Sequence, residues 1–186
     1  MKTPGRPGAT GNPALRRFDA VALYEALDER RRARGLSWAG AAKELWDLSA
    51  ELNARRGDHP ISAPVLANLG ERGATSCQHA LFMLRWLERT PESFLAGGSP
   101  DDGARLPSAG LDERPRWNLL ALYEALDDVR REKGLTWVET ATQIGCHTNQ
   151  LTGLRTVKFA INMDLAMRCV QWLGRTASDF IYAANW

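Results

Sequence analysis

The stretch LYEALD at 23–28 returns unchanged as LYEALD at 122–127. Each occurrence is followed by a basic run and then by GLSW at 35–38 or GLTW at 134–137. These blocks share one offset, 99 residues, from Leu23 to Leu122 and from Gly35 to Gly134. Further on, RWLERTPESFL (85–95) answers QWLGRTASDFI (171–181) at an offset of 86. Collinear identities at a fixed spacing mark a repeated supersecondary unit. The chain is therefore a tandem duplication, and copy one holds about 13 extra residues between its two matching blocks.

Working outward, AGGSPDDGARLPSAGLDERP (96–115) lacks helical periodicity and is rich in Gly, Pro, Ser and Asp, which predicts a flexible linker. Residues 1–17 are Pro/Gly-rich and hold Lys2, Arg6, Arg16 and Arg17 without an acid, which predicts a disordered basic tail. The expected organisation is a tail (1–17), copy one (18–95), a linker (96–115) and copy two (116–186). Copy one carries 10 basic against 11 acidic residues and copy two 8 against 7. Nearly neutral modules do not bind nucleic acid strongly through bulk charge alone.

Apolar periodicity gives the secondary structure. In copy two, Leu122, Leu126 and Val129 form the stripe of a first helix that Gly134 stops. Thr136, with Glu139 three residues on, opens a second helix with a capping box, and Gly145 ends it. A third helix starts near Thr148 and carries Leu151 and Leu154. Ala166, Val170 and Leu173 mark a fourth, and Thr176-Ala-Ser-Asp179 caps a fifth holding Phe180 and Ile181. No hairpin signal or β-alternation is present. The expected fold class is all-α, two five-helix modules joined by a flexible linker.

The segment TWVETATQIGCHTNQLTGLRTVK (136–158) resembles the helix-turn-helix core of the Xre, or lambda-repressor-like, family. Ala141, Ile144, Gly145, Leu151 and Leu154 fill that pattern's slots, and WLGRTASDFI resembles its closing helices. The resemblance covers most of each copy. It implies a DNA-binding transcription regulator whose third helix enters the major groove. It places Thr148, Asn149, Gln150, Thr152 and Gly153 against base edges, where Asn and Gln can pair with adenine and Thr can touch a thymine methyl. Arg155 and Lys158 would then hold phosphates. The other reading of Thr148, Asn149 and Gln150 is that they cap and solvate a short helix. One position departs from the family, which often opens helix two with a Gln; here Trp137 and Trp38 stand there, and a large ring suits packing or phosphate-side van der Waals contact better than hydrogen-bonded readout.

Copy one departs further. Ser37, Ala42 and Leu45 match, but Trp46 replaces the turn glycine. Leu45, Leu48 and Leu52 keep helical spacing, so helix two is expected to run on two or three turns before Gly57-Asp-His-Pro60. Its third helix is expected over 62–73, with Ser62 as N-cap and Leu66 and Leu69 as core. Its groove-facing slots hold Ala63, Pro64, Val65, Ala67 and Asn68, of which only Asn68 can hydrogen-bond a base edge. Asn68, Arg72, Arg55 and Arg56 are its candidate DNA contacts, beside thymine methyls under the apolar slots; the other reading is that copy one does not bind DNA. The surplus apolar surface of the long helix either thickens copy one's core or serves a homodimer or protein partner. A flexible 20-residue linker has a root-mean-square span of about 27 Å and bridges half-sites ~34 Å apart without strain; equally, the copies can pack as a pseudo-dimer.

Cys77, Cys146, Cys169, His59, His79 and His147 are scattered without metal-ligand or disulfide spacing. No stretch approaches the ~20 apolar residues of a membrane span, and no signal region precedes the first copy. The expectation is a reduced cytoplasmic protein without membrane, metal, cofactor or small-molecule substrate. No phosphate-cradling loop or catalytic constellation is recognisable, so an enzyme is not expected. Asp101-Asp102 and Asp127-Asp128 read as solvated pairs. Two functions remain: a sequence-specific reader of double-stranded DNA, or an interaction module on the same scaffold.

Overall fold

The computed structural model describes residues 14–57, 60–98, 105–156 and 161–186. The chain is mostly helical. Copy one contains α1 (Ala20–Ala33), α2 (Trp38–Asp47), α3 (Ala50–Arg56), α4 (Ala63–Ala67), α5 (Leu69–Arg72) and α6 (Cys77–Leu87). Copy two opens with strand β1 (Arg114–Trp117) and continues through α7 (Leu119–Glu132), α8 (Trp137–Ile144), α9 (Thr148–Thr152) and α10 (Met163–Leu173). It closes with a 3-10 turn (Ala177–Phe180) and strand β2 (Ile181–Ala184). No helix among the described residues is long and apolar enough to cross a membrane.

The repeat is visible residue by residue. Asp19 and Asn118 cap the equivalent first helices, Ser37 and Thr136 the second helices. The capping box of Thr136 and Glu139 forms as expected, and Gly145 ends α8 with φ 76°. Tyr24 stacks on Trp38 at 5.6 Å and Tyr123 on Trp137 at 5.3 Å, with Arg31 and Arg130 over the indoles. Both tryptophans at the head of helix two therefore pack, as expected of a ring there. Trp86 and Trp172, from the repeated Trp-Leu blocks, donate to Glu44 and Gln143 on the second helices, each at 2.9 Å.

Several expectations need correction. The long second helix of copy one is two helices, α2 and α3, broken at Leu48-Ser49. Ser49 has non-helical dihedrals (φ −130°, ψ 39°), and its hydroxyl donates to the Glu113 carbonyl at 2.6 Å. Arg85 donates to the Leu48 carbonyl at 2.7 Å and Asn53 to that of Trp46 at 2.7 Å, so the carbonyls freed by the break are satisfied. The expected 62–73 helix is α4 plus α5, divided at Asn68, and Ser62 makes no capping side-chain bond; Leu66 and Leu69 are buried as expected. The expected fifth helix of copy two is a single 3-10 turn followed by β2, which pairs antiparallel with β1, Trp117 against Ile181. That pairing uses residues placed in the linker and beyond any hairpin distance. Asp127 is not solvated: it is buried and ion-paired to Arg130 and Arg131, as Asp28 is to Arg31 and Arg32. Asp128 is exposed; Asp101, Asp102 and His59 lie outside the described residues.

The described part of the 96–115 stretch is docked rather than free. The Leu111 carbonyl accepts from the backbone of Glu51 and Leu52 at 3.1 and 3.2 Å, and Arg85 donates to the Ala109 carbonyl at 2.6 Å. Arg114, nearly fully buried, reaches Asn53 on α3 with both Nε and Nη2. The extra helix of copy one thus seats the connection and the first strand of copy two.

The two copies share one continuous hydrophobic core. Their contact is self-complementary. Ser76 and Asn162, equivalent under the 86-residue offset, face one another in an antiparallel bridge. Around it Cys77 N donates to the Ile161 carbonyl at 2.9 Å and Met163 N to the Thr75 carbonyl at 3.0 Å, two equivalent bonds exchanged. Each copy's leading segment lies on the other's fourth helix. Arg17 and the backbone of Phe18 bind Asp164 of α10, while Arg116 and the Pro115 carbonyl bind Gln78 of α6. Equivalent patches meeting in this way are the signature of a two-fold interface, here within one chain.

Candidate nucleic-acid interface

The third-helix region of copy two starts from a turn held in place from the core. Arg168 on α10 sends Nη1 to the carbonyls of Ile144 and Gly145 at 2.5 and 2.6 Å, closing the C-terminal end of α8. Asp164 accepts from Arg168 Nε at 3.1 Å, so this buried cation is paired. In the turn, Cys146 is half-buried, and burial raises its thiol while Arg168 opposes the rise. Glu139, at the head of α8, is held below the usual carboxylate range by the Thr136 hydrogen bonds.

From that turn α9 presents its polar residues outward and buries Leu151, with Leu154 beneath the following 3-10 turn. Asn149 is exposed, and its amide bonds to no other described residue. Gln150 is exposed too, but its Oε1 accepts from the His147 backbone at 2.9 Å, leaving the Nε2 donor for an outside partner. Thr152 is exposed, and its Oγ1 donates to the Thr148 carbonyl at 3.2 Å. Gly153 has ordinary helical dihedrals, and a Cβ built on it would meet nothing within 4 Å. Its lack of a side chain leaves open space rather than permitting a strained backbone.

Asn149, Gln150 and Gly153 line one groove of about 420 Å³ with Leu154, Ile161, Asn162 and Leu165. The groove runs from the candidate reading residues to Asn162, the residue at the two-fold bridge. Thr148 is half-buried at one end of the row and Arg155 is exposed on the 3-10 turn at the other. Lys158, expected to contact phosphate, lies outside the described residues.

Copy one is built differently. Pro64 and Asn68 are exposed, and Ala63, Val65 and Ala67 are half-buried. Arg72 is exposed at the end of α5, beside His79, whose pKa is lowered by burial first and by the Arg72 charge second. Arg55 and Arg56 stand instead on α3, where Arg55 donates to the Asn185 carbonyl at 3.3 Å. Asn68 and Arg72 therefore share the third-helix region, and Arg55 is placed beside the end of β2. A second groove, of about 460 Å³, runs between α2 and α4 and is lined mainly by Ala39, Ala42, Trp46, Ile61 and Ala63.

The sequence held the Gln150 cap only as the other reading of that residue and the packing of the two copies only as one of two arrangements. It carried no sign of the support from Arg168 or of the residues that form the two-fold contact. The repeat offset does map Ser76 onto Asn162, but equivalence alone does not say that two residues touch. Among the described residues, no cluster of three or more His, Cys, Asp or Glu side chains is arranged to hold a metal ion. No family model, no curated protein and no solved structure matches this chain.

Proposed function

We propose that the chain is a sequence-specific double-stranded DNA-binding regulator, built from two helix-turn-helix modules and reading the major groove chiefly with α9 of copy two. The carrying observation is the outward row Asn149, Gln150, Thr152 and Gly153, set on a short helix whose approach turn is fixed by Arg168. The exposed Asn149 amide suits bidentate pairing with adenine, the free Gln150 Nε2 suits a base-edge acceptor, and Arg155 at the end of the row suits a phosphate. Rigid mounting matters because base readout needs donors held in register.

The test is selection from a randomised duplex library at two salt concentrations. The expected outcome is an enriched motif with affinity that falls steeply as salt rises. Asn149→Ala should then weaken the selected site by about 1–3 kcal/mol. Gln150→Glu keeps an oxygen for the His147 cap but loses the Nε2 donor, so it separates reading from capping. If both variants bind the selected site as the parent does, α9 is not the reader.

A second reading, a protein-interaction module, is favoured by the apolar groove between α2 and α4 of copy one. It predicts no enriched motif and no salt-sensitive binding.

A further inference from the structure

We infer that one chain is the complete binding unit, a fused dimer whose DNA site is two unequal half-sites without two-fold symmetry. This rests on the DNA-binding reading above and deepens it by naming the class of DNA.

The Ser76–Asn162 bridge and the paired Cys77–Ile161 and Met163–Thr75 bonds relate the copies by a local two-fold axis. Points related by such an axis sit at equal height along it, so whichever way α9 faces along the axis, α4 faces too. The spacing is compatible with DNA. Only Gly73, Ala74 and Thr75 separate the end of α5 from Ser76, a reach of at most ~14 Å from the axis. Adding half the length of the third helix on each side, the helix centres lie up to ~43 Å apart. The ~34 Å between half-sites one turn apart falls within that limit.

The self-complementary patch of each copy is already used, copy against copy. Asp164 and Gln78 each bind the other copy's leading segment, and Glu92 accepts from Ala177 N across the contact. No second chain is needed to supply the other half.

The halves do not carry the same chemistry. Where copy two presents Thr148, Asn149, Gln150 and Thr152, copy one presents Ala63, Pro64, Val65 and Ala67. Small apolar side chains make contact with thymine methyls but no hydrogen bonds to base edges. The expected site pairs an adenine-reading half under α9 with a thymine-rich half under α4, where Asn68 is the one polar reader.

The experiment uses the full chain in duplex selection, with native mass spectrometry of the selected complex. The expected parent result is a non-palindromic two-part motif bound by one chain. A variant carrying Ala63→Thr, Pro64→Asn, Val65→Gln and Ala67→Thr gives copy one the reading side chains of copy two. It should select a two-fold symmetric motif, still with one chain per duplex, and lose at least about tenfold in preference for the parent site. Two parent chains on a palindrome would overturn the inference while leaving DNA binding intact. So would a one-part motif that the parent occupies with copy two alone. No enriched motif at either salt would overturn the DNA reading itself, and this inference with it. The parent stoichiometry decides the matter even if the four-residue variant fails to fold.

Discussion

The two copies close the end of their second helix with an arginine from their fourth helix, but from different positions. In copy two, Arg168 reaches the Ile144 and Gly145 carbonyls; its equivalent in copy one is Phe82, a core residue. In copy one, Arg85 does the work at Leu48, and its equivalent in copy two is Gln171, which binds Arg16 instead. The need for closure is common because terminal carbonyls must find donors. The position differs because copy one continues into α3 where copy two turns at Gly145. The same insertion gives copy one a seat for the connecting chain, while copy two keeps a short turn and an outward polar helix. One module has been shaped to hold the other.

The largest effect expected from breaking this comparison is at the two arginines. Arg168→Met leaves two carbonyls unmet and Asp164 without one of its cations, a loss of about 3 kcal/mol. Arg85→Met strips the Leu48, Ala109 and Ser49 contacts and should cost a similar amount. Phe82→Met, at the position equivalent to Arg168, changes packing and removes the ring 5.9 Å from the Arg114 guanidinium, and should cost about 1–2 kcal/mol. Denaturant midpoints measure all three. Equal losses at Phe82 and Arg168 would mean that the buried cation contributes nothing specific.

Next is Asn53→Ala, which removes the Arg114 contact and the bond to Trp46, at a cost of about 2 kcal/mol. Because Asn53 belongs to the insertion, copy two has no counterpart. Protease cleavage within 105–113 should accelerate alongside the stability loss if α3 holds the connection down. Cleavage at the parent's rate would show that Leu111 and Arg85 suffice.

These residues also show what was legible beforehand. Helix starts at Ser37 and Thr136, the Gly145 stop and the apolar stripes are local signals, written within a few residues of where they act. The break at Ser49 was not legible, because its cause includes Glu113 and Arg85, far along the chain. Trp117 and Ile181 pair across a whole module, so no hairpin signal announces β1 and β2. Asp127 reads as a surface acid until Arg130 and Arg131 close over it. In the candidate site, the identities on α9 were readable from the repeat and the turn. The burial that anchors them, through Arg168, depends on a helix packed against the turn from behind.

A smaller effect separates two glycines of copy two. Gly145 and Gly134 both have positive φ, 76° and 66°. A Cβ at Gly145 would stand 3.2 Å from Arg168 Nη1, whereas one at Gly134 meets nothing within 4 Å. Gly134→Ala should therefore cost about 1 kcal/mol, the conformational term alone. Gly145→Ala should cost more, and the excess should vanish in an Arg168→Met background. An excess that persists there would put the strain somewhere other than the cap.

The smallest effect is a pH dependence carried by His79 of copy one. His79 corresponds to Leu165 in copy two, so just one of the equivalent sites titrates. Burial, and then the Arg72 charge, hold His79 below its ordinary 6.5. The unfolded chain therefore takes up this proton first as pH falls. The stabilising contribution is complete above pH 6.5 and is lost as pH drops through the folded value. His79→Leu, copying the other module, should flatten stability between pH 7.5 and 5.5, read as the shift in denaturant midpoint. A bound phosphate at Arg72 would offset that charge and raise His79 toward its ordinary value. The proton uptake of the parent in this window should then change on adding the selected duplex, and not in Arg72→Gln. An unchanged uptake would place the DNA away from the end of α5.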